Sequence, residues 1–236
     1  MVKKGTPPSN SASLGFRRLK TRQRAEREGY PPNLALRVHR ALSWLERAEG
    51  CVDDVDGRFV FLWIAFNAAY ATDIDERYRS GELDTFRAFI AKLVGLDQQG
   101  RFGALVWAEF GGSLRGLLDN EYVFHDFWVY QRGEIEETEW RRRFAQANAK
   151  ARRALEQQDV AVVLNVVLSR IYTLRNQLMH GGATWNSRVN RAQIRDCGQF
   201  LGRLVPTLIE VMMDHPEALW GDACFPVVGP SGRGAS

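Results

Sequence analysis

Three observations predict an all-α fold. Apolar residues in the first quarter recur at helical spacing. A long apolar stretch follows a pair of aspartates suited to a helix start. Further on, an apolar stripe is framed by Asp159 at one end and Gly181-Gly182 at the other. No convincing set of alternating strands accompanies them. With 45% hydrophobic and 25% charged residues, a chain of 236 has the material for one large domain with a real core.

The net charge of +4 is unevenly placed. Residues 1–50 hold 11 Lys/Arg against 4 Asp/Glu, and the remainder is slightly acidic. Residues 1–32 read as a flexible, disordered basic arm, because Gly, Pro and Ser surround the dense stretch Arg17-Arg18-Leu19-Lys20-Thr21-Arg22-Gln23-Arg24 with few apolar anchors. Such an arm serves either as a solubilising tail or as a phosphate contact. In the second role Arg17, Arg18, Lys20, Arg22 and Arg24 are weak RNA-binding candidates that act through counterion release.

The helical domain is expected over 33–213. Leu34, Val38, Ala41, Leu42 and Leu45 define one buried face, and Gly50 is a plausible stop. A second helix begins near Asp53-Asp54, whose carboxylates complement a helix N-terminus, and continues through FVFLWIAFNAAYA. Apolar on nearly every side, it reads as the central helix of a bundle, with Asn67 a buried polar group in need of a hydrogen-bond partner. Residues 82–119 read as two shorter helices broken by glycines. The aromatic segment EYVFHDFWVYQRG is a short helix or a packed loop, and its His125 reads as a core residue with no catalytic role.

From Glu134 a long helix runs acidic then basic, in keeping with the macrodipole. Arg141, Arg142 and Arg143 should form a solvated face paired with Glu137 and Glu139. Asp159 caps the following helix, VAVVLNVVLSRIYTLRNQLMH. A final helix spans about 190–213 with Pro206 inside it, and 214–236 reads as an irregular tail.

Chemistry concentrates in Arg175-Asn176-Gln177-Leu178-Met179-His180. Val167, Ile171, Leu174 and Leu178 form a seam toward the core. With Arg175 set at zero, Met179, Asn176 and His180 fall at about 40°, 100° and 140° on another side of the helix. Asn176 and His180 are an i,i+4 pair, so the amide is placed to orient the imidazole. A guanidinium matches phosphate oxygens, and an imidazole moves protons near neutral pH. RNA supplies its own nucleophile, the 2′-OH, so no metal is required in principle.

These residues resemble the R-x4-6-H motif of the HEPN superfamily in its R-N-x3-H form. The helices ALSWLERAE and FLWIAFNAAY and the segment LRNQLMHGG agree with a stand-alone HEPN-like protein, with extra helices inserted before Glu134. The resemblance implies an all-α bundle that dimerises so that two motifs face each other. It also implies a metal-independent endoribonuclease without cofactor, with Arg175, His180 and Asn176 as catalytic residues and RNA as substrate. Toxin–antitoxin or antiviral defence is the implied setting, with an antitoxin or other defence-system partner. The alternative it leaves open is a non-catalytic HEPN domain that binds RNA, a nucleotide or a protein partner.

Other classes are disfavoured. The longest apolar run, residues 59–71, is too short to span a bilayer, and the N-terminal residues lack the apolar region of a signal peptide. Cys51, Cys197 and Cys224 are far apart and odd in number, which argues against a disulfide framework and for a cytoplasmic setting. His39, His125, His180 and His215 show no metal-ligand spacing.

Overall fold

The computed structural model describes residues 14–70, 79–109, 114–188 and 190–223. Among them the chain forms ten α-helices and no strand, in agreement with the all-α expectation. In order these are α1 (Leu14–Glu26), α2 (Pro32–Glu49), α3 (Val55–Tyr70), α4 (Arg79–Leu96), α5 (Arg101–Glu109), α6 (Arg115–Asp119), α7 (His125–Gln131), α8 (Glu137–Glu156), α9 (Val160–Met179) and α10 (Arg191–Asp214).

The predicted seam of α2 is buried at Leu34, Val38, Ala41, Leu42 and Leu45 and faces α3. The Asp54 carboxylate accepts the Gly57 N–H at 2.8 Å, which satisfies one of the unpaired donors at the start of α3. Helix α3 lies between α2 and α10, as its apolar run predicts. Gly198 and Gly202 of α10 let the two backbones approach, since a Cβ at Gly202 would sit 2.9 Å from the Arg58 guanidinium and 3.8 Å from Leu62. At the other end of α3, the fully buried Arg37 donates to the carbonyls of Ala69 (2.9 Å) and Asp222 (2.6 Å), which ties the chain after α10 to the core. Helix α9 packs against α4, α5, α6 and α8.

Four expectations require correction. Residues 14–26 are not part of a disordered arm but a helix docked on α2 and α10. Leu19 is fully buried, Phe16 packs on the core, and the Phe16 N–H donates to Glu49 Oε1 at 2.9 Å. Arg18 pairs with Glu210, and Arg22 with Asp214 at 2.7 Å, so partners 192 residues away turn a solvated-looking stretch into a packed element. Residues 1–13 lie outside the described residues.

The second correction concerns the stretch expected at 82–119 to form two helices: α4, α5 and α6 make three, and among the described residues Gly95, Gly103 and Gly116 lie within helices while Gly100, at φ +66°, sits in the turn between α4 and α5. Third, His125 is exposed at the start of α7; Phe127 and Trp140 supply the core contacts there. Fourth, Asn67 is only half-buried, so solvent relieves the need for a dedicated partner. The pairs of Arg141 with Glu137, and of Arg142 and Arg143 with Glu139, form as expected, and the two cations hold the Glu139 carboxyl down at about 2. The tail is irregular over 215–223 yet packed, with Trp220 buried and its indole N–H donating to the His215 carbonyl at 3.0 Å.

Candidate active site

Helix α9 begins on Asp159, whose carboxylate accepts the Val162 N–H at 3.0 Å, and buries Val167, Ile171 and Leu174. This seam fixes the rotation of the helix. Tyr172, Arg175, Asn176 and Met179 are left on its outer side, with Tyr172 and Met179 exposed and Arg175 and Asn176 half-buried.

The Arg175 Nη1 donates to Asn176 Oδ1 at 2.8 Å, and the guanidinium lies 5.9 Å from the Tyr172 ring centroid. Its Nε is covered and has no hydrogen-bond partner. Asn176 therefore holds the arginine, not the imidazole that its i,i+4 spacing suggests. The shorter reach to the adjacent residue prevails. Among the described residues no carboxylate pairs with Arg175 or His180.

His180 is the exposed residue that closes the helix, and its N–H reaches the Asn176 carbonyl at 3.0 Å. The chain then turns through Gly181 at φ +71°. The Gly182 N–H returns to the Gln177 carbonyl (2.7 Å) and the Gly181 N–H to that of Leu178 (3.2 Å), the paired bonds of a Schellman turn. A Cβ at Gly182 would approach the Gln177 carbonyl oxygen to 2.9 Å, so the close return favours glycine there as well. The histidine is thus presented at the rim of a tightly closed helix end, one turn beyond Arg175.

Two further residues fix the segment that follows. Asp56, in the first turn of α3, is 8% exposed and accepts both terminal nitrogens of Arg191 at 3.0 Å, as well as the Asn186 N–H at 2.7 Å. Asn186 and Asn190 both hold positive φ, which asparagine tolerates better than most residues. On the other side Gln177 acts as a brace: its amide N–H donates to the Tyr122 carbonyl at 2.5 Å and its oxygen accepts from Asn190 Nδ2 at 2.9 Å. Sequence reasoning found neither Asp56 with Arg191 nor Gln177 with Tyr122, since both pairs join distant segments. The only local signal was the acidic start of the second helix.

Five residues back along α9, Arg170 is sealed between the rings of Phe124 and Phe144, 4.2 and 5.2 Å from their centroids, and donates to Asn148 Oδ1 at 3.1 Å. Burial pushes its guanidinium down to about 10. It serves to join α7 and α8 to α9.

Arg175 and Asn176 meet on the last turns of α9, and His180 caps the same helix end. The structure does not bring the other candidates there, for Arg17, Arg18, Lys20, Arg22 and Arg24 lie on α1 against α2 and α10. Arg18 and Arg22 are committed to ion pairs, Lys20 donates to Gln23 at 2.8 Å, and Arg17 and Arg24 are exposed. Among the described residues, no group of three or more His, Cys, Asp and Glu side chains is placed to hold a metal ion, and no helix is long and apolar enough to cross a membrane. Comparison with protein-family models, with curated proteins and with solved structures finds no match to this chain.

Proposed function

We propose that this protein is a metal-independent endoribonuclease of HEPN type. The observation that carries the reading is the pairing of a buttressed arginine with an exposed histidine at one helix end, neither neutralised by a carboxylate. Arg175, held by Asn176, offers its remaining N–H groups to the non-bridging oxygens of a phosphodiester and stabilises the charge that builds on them. His180 moves the proton. The 2′-oxygen attacks phosphorus and gives up its proton to a neutral imidazole as the new P–O bond forms. The P–O5′ bond breaks, and the departing 5′-oxygen takes a proton from an imidazolium, leaving a 2′,3′-cyclic phosphate.

One histidine cannot hold both protonation states at once, so two copies of the site, facing each other in a homodimer, complete the acid–base pair. Tyr172 and Met179, 41% and 51% exposed beside Arg175, supply apolar surface for that contact. The cell context that fits is an RNA-degrading toxin or antiviral effector held in check by a protein partner.

The test is incubation of the full chain with RNA in excess EDTA. Cleavage to 2′,3′-cyclic or 3′-phosphate ends is expected, with none of DNA or of RNA carrying a 2′-deoxy residue at the cut. Full-rate cleavage by the double variant Arg175→Ala, His180→Ala would overturn the assignment. RNA binding without cleavage by the wild type would replace it with a non-catalytic role.

A further inference from the structure

A surface groove of about 750 Å³ is formed by α6, the turn 120–122, α7 and the start of α10. Gln177 is braced against this groove through the Tyr122 carbonyl and the Asn190 amide, and on the helix it neighbours His180 at i+3. The groove and the exposed histidine therefore flank one turn of α9.

Its lining suits a base rather than a phosphate. Glu121 and Asp119 would repel an anion, and no cation among the described residues pairs with Glu121, whereas Asp119 faces Arg152 at 3.5 Å. Two aromatic side chains line it. Tyr122 is 48% exposed with its ring set edge-on to Phe127, and Trp128 is fixed by its indole N–H donating to the Tyr122 carbonyl at 2.8 Å. A held, exposed ring is a platform on which a base stacks.

The polar groups have a definite donor and acceptor order. Asn120 Oδ1 is occupied by the Tyr122 N–H at 2.8 Å, which leaves its NH₂ to donate. Asn190 uses its NH₂ on Gln177, which leaves its oxygen to accept. Gln193 offers either group, and Glu121 only accepts. A ligand edge that matches carries two neighbouring N–H donors for a carboxylate and ring or carbonyl acceptors for an amide. Among the RNA bases guanine has this set: N1–H and the 2-amino group on one edge, O6 and N7 on the other. Uracil lacks an amino group, and adenine and cytosine offer a carboxylate a single donor group on the pairing edge.

We propose that this groove binds guanine and thereby directs cleavage to a phosphodiester next to a guanosine. The proposal rests on the ribonuclease reading for its consequence, but its binding half stands by itself. Calorimetric titration of the full chain with guanosine 3′-monophosphate, and with the adenosine, cytidine and uridine counterparts, is expected to show guanosine bound at least about tenfold more tightly. Glu121→Gln, a surface change that keeps the fold, should remove the preference. In cleavage assays on RNAs with one guanosine, the same variant should spread the cuts to other bases.

Equal affinity for all four nucleotides, or a preference that survives Glu121→Gln, would overturn the proposal. Guanosine-selective binding in a protein that never cleaves RNA would retain the base site and reject only the ribonuclease reading.

Discussion

Five cations crowd the thirteen residues of α1, whereas the last two turns of α9 and its cap hold one arginine and one histidine. By charge density α1 is the stronger candidate for a phosphate-binding surface. Its partners reverse that ranking. Arg18 and Arg22 reach Glu210 and Asp214, Glu26 closes on Arg22, and Arg101 joins Asp214 from the start of α5, so much of this charge is answered within the protein. Arg175 and His180 have no acidic partner among the described residues. A cation whose counter-charge is internal holds the fold together, and a cation held by a neutral amide remains available to an anionic ligand.

The largest effect that sharpens this contrast is on turnover. Arg175→Ala with His180→Ala should lower RNA cleavage by about 10³-fold or more in single-turnover assays, with the circular dichroism spectrum unchanged. If α1 is a structural element, Leu19→Ala should cost about 2–5 kcal/mol in urea unfolding. The variant should still cut RNA under conditions where it remains folded. A Leu19→Ala protein as stable as the wild type would return α1 to the status of a loose arm.

A smaller effect comes from acid. The Glu26 carboxyl is held low by its hydrogen bond from Arg22. For Asp214, burial alone would raise the carboxyl, but hydrogen bonds from Arg22 and Arg101 outweigh it and hold it low. Carboxylates depressed in the folded state add stability above their unfolded values, 4.5 and 3.8, and lose it as pH falls through the lower folded values. Glu49 acts in the opposite sense, since burial raises its carboxyl and favours the protonated form in the fold. Unfolding midpoints measured from pH 6 down to 3 should therefore fall, and Asp214→Asn should flatten the decline. The least effect is expected from the exposed pair Arg17→Gln and Arg24→Gln, within about 0.5 kcal/mol of wild-type stability. A large loss of RNA affinity in that variant at moderate salt would show that α1 does bind phosphate after all.

What could be read in the chain beforehand followed from local rules. The seam of α2, the Asp159 cap, the Gly181 stop and the Glu137–Arg141 pair each depend on residues within a turn or two of one another, so spacing exposes them. The motif itself was legible for the same reason, being contained in six residues. Helix α1 departs from its local pattern because its docking depends on Glu49, Glu210 and Asp214, acids that no local window can connect to it. The guanine groove was invisible on similar grounds: Asn120 and Tyr122 meet Asn190 and Gln193 only after α8 and α9 have folded between them. Even within the motif, the spacing of Asn176 and His180 pointed to the wrong partner for the amide, since a wheel gives directions and not the reach of a long side chain.

The clamp of Asp56 on Arg191 and Asn186 bears on how this helix end meets a ligand. The segment from Gly181 to Ser187 has the glycines of a nicking site for proteases, but it is anchored by the Gln177 carbonyl at Gly182 and by Asp56 at Asn186. Its backbone entropy is surrendered when the chain folds, not when a ligand arrives. A ligand at this helix end thus meets a rim already in shape, and resistance to chymotrypsin at Trp185, 75% exposed, is a simple gauge of how completely that rim is set in advance.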